Sequence, residues 1–337
     1  MPRALRIQYA GAVYHIMSRG QRREAIVYDE KDREVFFATV SEVCERTGWR
    51  LHAWVLLGNH YHWLLETPEA NLVSGMQWFQ TTYSTRFRLR HGLAGHVFQG
   101  RYKAIVIDPD SDTYFQTVSG YIHLNPVRAK GVLGADEPLE HFRWSSYSAY
   151  LRRPGLRPQY LVVDGVLGNL GLADDRNGRR RYREHMEARR AEWRAGRRQQ
   201  EAEWKSLRRG WCLGSREFRN QMLERVKDLL GERAEGSMGG EVVREHNESA
   251  ARQAIAEALV ALNLDAKALP GMKKTDGRKR AIAWWVRTRS TVSNRWVAEA
   301  LHMGHAMNAS ASVRLVREAK GNDLARMRRR MEKTLRF

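Results

Sequence analysis

His60-Tyr61-His62 stands at the head of the apolar run Trp63-Leu64-Leu65, and Tyr121 is followed four residues later by Asn125. A strand repeats its side-chain direction every second residue, so His60 and His62 point the same way. A helix brings residues four apart onto one face, so Tyr121 and Asn125 share a direction too. Two imidazoles, an amide oxygen and a phenol can thus converge on one metal ion. That arrangement suits attack by a tyrosine on a phosphodiester. A His-X-His pair on a strand is common by itself. Here it opens a strand expected near the middle of a sheet, where two imidazoles without partners are costly to bury, which favours a shared ligand. Tyr114, one heptad before Tyr121, lies on roughly the same face and is the rival nucleophile. Tyr121 is preferred because it sits one turn from an oxygen ligand. Asn125 precedes Pro126 and also reads as a helix end. His123 falls on another face of that helix and is not assigned as a ligand.

These residues need elements to hold them. Ala12–Ser18 reads as a strand running into the basic turn Arg19-Gly20-Gln21-Arg22-Arg23. Glu30–Thr47 has helical spacing, with Val35, Phe36, Thr39, Val40 and Val43 on one face. Trp49–Leu57 and His60–Glu66 are strands joined by the tight turn Gly58-Asn59. Leu72–Arg90 is a second helix, Val97–Ile107 a fourth strand, and Ser111–Leu124 a third helix that Pro126 helps to end. The first six elements have the order β-α-β-β-α-β of a ferredoxin-like split βαβ fold, with both helices on one face of an antiparallel sheet. The fold class is therefore α+β, and residues 1–150 form the first domain.

Beyond residue 150 the composition changes. Pro154, Gly155 and Pro158 mark a break. Residues 151–240 read as a basic helical linker, with Arg179-Arg180-Arg181 and Arg189-Arg190 on a solvated face within Ala173–Arg209. Gly231–Gly240 reads as a flexible joint. Residues 241–337 read as mostly helical. Ser249–Leu262 and Arg278–Arg287 have helical spacing, and two helices between Ser293 and Arg317 flank the turn His302-Met303-Gly304-His305, as in a helix-turn-helix. This end loosely resembles the DNA-binding end of the bacterial replication initiator DnaA. Its basic residues include Lys273, Lys274, Arg278, Lys279 and Arg280, and Arg314 and Arg317 fall on the second helix of the pair.

The 337 residues carry 58 Lys+Arg against 38 Asp+Glu, a net charge of +20. That excess points to a polyanionic partner, with nucleic acid as the default. A membrane surface fits less well, since the basic residues do not lie along one apolar amphipathic segment. No run approaches the roughly 18 apolar residues of a membrane span. The first residues lack the apolar core of a signal peptide. Cys44 and Cys212, the two cysteines, form no disulfide or zinc pattern. The expected location is the cytoplasm, in association with the nucleoid.

Four motifs in order carry a resemblance: Gly58–Thr67 (GNHYHWLLET), Phe98–Lys103 (FQGRYK), Tyr121–Ala129 (YIHLNPVRA) and Trp144–Tyr147 (WSSY). Tyr14-His15-Ile16 with Ser18-Arg19-Gly20 opens the series. Over roughly residues 5–150 the chain resembles the REP-associated tyrosine transposases, relatives of the single-tyrosine HUH transposases of small bacterial insertion sequences. Gly58 stands where that family usually carries proline, a difference confined to the hairpin turn.

The resemblance implies that His60, His62 and Asn125 hold Mg²⁺ or Mn²⁺. It implies that Tyr121 attacks phosphorus, leaving a 5′-phosphotyrosine link and a free 3′-OH. The substrate it implies is single-stranded or hairpin DNA of the REP type, and it leaves monomer and homodimer both open. Arg19, Arg22 and Arg23, with Arg101 and Lys103, would track the DNA backbone. Tyr102, Trp63 and Trp78 are candidate stacking platforms, or core aromatics. Duplex DNA is the expected partner of the C-terminal region. Two other readings compete: a DNA-binding regulator that has lost cleavage, and an RNA-binding module on a ferredoxin-like sheet. Intact His60, His62, Tyr121 and Asn125 weigh against the first. The histidines weigh against the second, because they occupy the positions that RNA-stacking aromatics would need.

Overall fold

The alternation in the first 110 residues becomes four strands of a five-stranded sheet in the computed structural model, which describes residues 3–4, 6–129, 132–134, 137–196, 204–231, 238–239 and 241–335. The strands are β1 (Ala12–Arg19), β2 (Arg50–Leu56), β3 (His60–Thr67), β4 (Lys103–Ile107) and β5 (Cys212–Leu213). They lie in the order β2-β3-β1-β4-β5. Every neighbouring pair is antiparallel except β4 and β5, which run parallel. With α1 (Glu30–Thr47) and α2 (Leu72–His91), the first four strands give the ferredoxin-like order.

Helices α1 and α2 cover one face of this sheet. The Asp29 side chain caps the first turn of α1 by accepting from the Asp32 amide at 2.9 Å. Gly48 ends the helix in the left-handed conformation, at φ 70°. Phe36 on α1 meets the rings of Tyr61, Trp63, Phe79 and Tyr83 at centroid distances of 5.3, 6.1, 5.2 and 5.0 Å. All five residues are buried, so this face is a dry aromatic core.

Helix α3 (Asp112–Arg128) covers the other face. It runs a turn beyond the expected end at Leu124, straight through Pro126. Proline removes one helical N–H and disfavours helix at the residue before it. The contiguous buried run Val118–Pro126 packs against the sheet and overrides that preference. Asn125 is therefore inside the helix rather than at its cap, and its carbonyl accepts from the Ala129 amide at 3.0 Å. The fourth strand is shorter than expected. Gly100, at φ 65°, turns the chain, so the ladder starts only at Lys103 and Phe98 makes just an isolated bridge to Gly20.

The boundary expected at residue 150 moves to residue 222. The chain divides into a unit of Arg6–Met222 and a second unit made of the first five residues with Leu223–Phe337. Residues 151–222 pack as part of the first unit. Leu161 bridges Leu51, and the amides of Leu51 and Val162 bond the Tyr160 and Leu51 carbonyls. Helix α6 (Arg176–Ala195), which follows the short helices α4 (Ser146–Tyr150) and α5 (Asp164–Gly168), buries Tyr182, Met186 and Trp193 in the same cluster as Tyr121. It presents a solvated basic face, as read, but its opposite face is apolar and belongs to the core. The proposed joint at Gly231–Gly240 lies mostly outside the described residues.

The second unit has its own apolar core, centred on Ile282, Trp285, Val297, Leu301 and Met303. Its helices are α7 (Glu241–Ala261), α8 (Gly277–Arg289), α9 (Asn294–Ala300), α10 (Ala306–Glu318) and α11 (Asp323–Thr334). Between α9 and α10 the chain turns at His302 and Gly304, with φ 52° and 84°. Met303 is buried in that turn, and the buried Lys279 donates its ammonium to the His302 carbonyl at 3.0 Å. No helix among the described residues is long and apolar enough to cross a membrane.

Candidate active site

The register of β3 on β1 sets the first part of the site. Met17 pairs with His62 and His15 with Leu64, so His15 and His62 are diagonal neighbours on one face. That is the α3 face, opposite the aromatic core. His60 and His62 stand with ring centroids 5.3 Å apart. Helix α3 brings Tyr121 over them, 5.4 Å from His62 and 5.7 Å from His15, both edge-on. Asn125, one turn on, lines the same cavity of about 710 Å³.

Each histidine has a second partner. His60 Nδ1 lies 2.7 Å from Asn59 Oδ1, and Asn59 in turn donates from Nδ2 to the Arg23 carbonyl at 3.0 Å. A side-chain oxygen accepts, so His60 carries its proton on Nδ1 and keeps the Nε2 lone pair. His62 Nδ1 lies 3.0 Å from His15 Nε2. Burial, with Arg19 and Arg128 adding repulsion, pushes His60 down to about 4. Burial also holds His62 well below the ordinary imidazole range. The imidazoles are thus neutral near pH 7, the form in which a histidine can bind a metal.

Asn125 is buried, and its amide nitrogen has no hydrogen-bond partner among the described residues. Rotating that amide by half a turn exchanges N for O in place. The position can therefore present an oxygen donor where a buried polar atom is otherwise unsatisfied. Two imidazole nitrogens and one amide oxygen fit a small divalent cation. No group of three or more His, Cys, Asp or Glu that could hold a metal occurs among the described residues.

The cavity wall is strongly basic. Arg19, Arg101, Lys103, Arg128, Lys205, Arg208 and Arg209 line it, with no acidic residue among the described lining residues. Arg19, Arg101 and Lys103 were expected from the sequence to meet a polyanion. Arg22 and Arg23 do not line the cavity; they form a short exposed turn with φ of 51° and 68°. Arg314 and Arg317 belong to the second unit, where they line a shallow cleft with Arg287, Asn294, Ser310, Val313 and Glu318.

Two of the three expected stacking aromatics are core residues. Trp63 points to the α1/α2 face, being one residue out of phase with His62. Tyr102 is buried with the Arg6 guanidinium 3.8 Å over its ring. Trp78 is half-buried beneath Arg46, away from the cavity. Tyr114, the rival nucleophile, also lies elsewhere and bonds the Gly214 carbonyl at 3.4 Å. His123 bonds Tyr182 and Ser146, each at 2.7 Å, in the interior.

The segment Trp204–Arg209, which carried no motif, closes the site. The buried Trp204 sets its ring at right angles to Tyr121, with centroids 5.7 Å apart. The Arg128 guanidinium lies 4.5 Å from the Tyr121 ring and 4.8 Å from that of Trp204. Lys103 donates to the Arg208 carbonyl at 2.9 Å. The basic run Lys205–Arg209 looked like linker charge, and its place over a site 80 residues earlier left no local signal.

Residues 8–125 match the family of IS200-like transposases. That match lies wholly within the first unit. Among curated proteins none matches the chain. A solved REP-associated tyrosine transposase bound to a REP hairpin is 19% identical, with a TM-score of 0.38 over 48% of this chain and 92% of that one. Tyr121 and the candidate ligands His60, His62 and Asn125 meet in the basic cavity of that unit.

Proposed function

We propose that the first unit is a transposase domain, a metal-dependent nicking and joining enzyme for single-stranded DNA with hairpins. The observation that carries this reading is the meeting of His60, His62, Asn125 and Tyr121 in one basic cavity. His60, His62 and Asn125 would hold Mg²⁺ or Mn²⁺, which would polarise the scissile phosphate.

The chain's own residues supply the rest. Tyr121 Oη forms a bond to phosphorus and loses its proton to solvent. The bond from phosphorus to the 3′ oxygen breaks, and that oxygen leaves as a hydroxyl after taking up a proton. The product is a 5′-phosphotyrosine and a free 3′-OH. The covalent link conserves the ester, so a second 3′-OH can displace Tyr121 without an external energy source. Arg128 and Trp204 hold the Tyr121 ring in place, which keeps nucleophile and phosphorus in reach. Arg19, Arg101 and Lys103 neutralise the flanking phosphates. Arg22 and Arg23 extend the basic track outside the cavity.

A labelled hairpin oligonucleotide incubated with the full chain and Mn²⁺ should yield a covalent adduct on a denaturing gel. His60→Ala with His62→Ala should abolish it while leaving most DNA affinity. DNA binding with no adduct under any divalent metal replaces this reading by that of a cleavage-deficient DNA-binding regulator.

The second unit has the helix-turn-helix spacing of α9 and α10, with Arg314 and Arg317 exposed on the second helix. We assign it duplex DNA binding, without chemistry.

A further inference from the structure

We propose that His15 is a positioning residue: held by the Leu207 carbonyl, it fixes His62 in the Nδ1–H form, so that the His62 Nε2 lone pair is left for a cation. The inference rests on reading His62 as a metal ligand.

The assignment follows from which atoms can donate. His15 Nδ1 lies 2.8 Å from the Leu207 carbonyl oxygen. A carbonyl only accepts, so the proton is on His15 Nδ1. His15 is fully buried and His62 nearly so, and a charge there would be costly without an anion beside it. A neutral His15 with its proton on Nδ1 has a bare Nε2. The 3.0 Å contact with His62 Nδ1 then requires His62 to be the donor. His62 Nε2 is left as the lone-pair nitrogen, matching His60, whose Nδ1 is bonded to Asn59.

The two ligands are thus set by different means. His60 is oriented by its sequence neighbour. His62 is oriented by a residue 47 positions away, itself anchored to a backbone carbonyl a further 192 positions on. That carbonyl belongs to the Trp204–Arg209 segment, which also holds Tyr121 through Trp204. One segment therefore sets both a ligand's tautomer and the nucleophile's ring. A hydrogen-bonded partner behind a metal-binding imidazole fixes its tautomer and orientation, and losing it typically weakens metal binding about 10–100-fold.

Three substitutions in the full chain separate positioning from packing. His15→Gln can put a carbonyl oxygen near the former Nε2 and so keep the acceptor. His15→Asn reaches only toward Leu207, and His15→Leu keeps bulk but no polar atom. Mn²⁺ titration followed by electron paramagnetic resonance should show affinity falling about 10–100-fold in the Leu and Asn variants. The Gln variant should stay within a few-fold of wild type. Nitrogen-15 NMR of the metal-free protein should show His62 protonated on Nδ1 in wild type. A His62 protonated on Nε2, or unchanged Mn²⁺ affinity in a folded Leu variant, overturns the proposal. Absence of Mn²⁺ binding by wild type with the Nδ1–H form intact would instead overturn the metal reading alone. Circular dichroism identifies variants that fail to fold; if the Leu and Asn variants do, the wild-type tautomer decides.

Discussion

Tyr61 and Trp63 enter a closed aromatic core with Phe36, Phe79 and Tyr83, whereas His60 and His62, one position out of phase on the same strand, enter a basic cavity. The first face gains its stability from rings removed from water. The second holds neutral imidazoles, an unsatisfied amide and a phenol, none of which improves a core. A strand with period two can build both, because each substitution on it affects mainly one face. The core face keeps the cavity face in place.

The sharpest test of this division is Tyr121→Phe. It removes one hydroxyl and keeps the ring between Arg128 and His62. The covalent adduct should fall to background, while DNA affinity and melting temperature stay near wild type. Tyr114→Phe should leave the adduct intact; the opposite pattern would falsify the choice of nucleophile.

Trp63→Ala is the complementary change on the other face. Deleting a buried Trp from such a core costs about 3–5 kcal/mol, read as a loss of unfolding free energy in urea. His62→Ala should cost less, on the order of 1–3 kcal/mol, because it removes one buried hydrogen bond and strands one acceptor. Equal destabilisation by the two variants would erase the distinction between the faces.

A smaller effect should appear with pH. Burial holds His15 at about 4 and His123 at about 3, against 6.5 for a free imidazole. Between those values the unfolded chain binds protons that the folded chain does not. Stability is therefore fully present above about pH 6.5 and is lost as the pH falls toward 4 and below. Thermal melts over that range should show a falling midpoint. A flat profile would mean that these imidazoles are more solvated than their burial indicates.

The smallest effect compares the two units. Replacing Arg314 and Arg317 together with alanine should weaken duplex binding and lower its salt slope by about one per lost phosphate contact. Hairpin nicking should be unchanged. A loss of nicking would place those residues in the chemistry of the first unit.

Much of this was legible locally. The spacing of His60 and His62, and that of Tyr121 and Asn125, needs only strand and helix periods, and both pairs meet at the cavity. The edges were harder. Pro126 reads as a helix terminator, yet burial of Val118–Pro126 carries α3 on to Arg128 and so brings that guanidinium against Tyr121. Trp63 and Tyr102 have the composition of stacking platforms, but strand phase and the Arg6 contact assign them to the interior. The charge of Ala173–Arg209 hid an apolar stripe on α6 and a cover for the candidate site.

By itself the sequence determined the basic character of the protein, the α+β order of its first elements and the two residue pairs that meet at the cavity. These depend on net charge and on periods of two and 3.6 residues, which operate within a few positions of the chain. Only the tertiary structure decided that residues 151–222 belong to the first unit, that Trp204 faces Tyr121, and that His15 joins His62 to the Leu207 carbonyl. Contacts across 47 and 192 residues leave no local trace, because they are set by which faces bury together once the whole unit has closed.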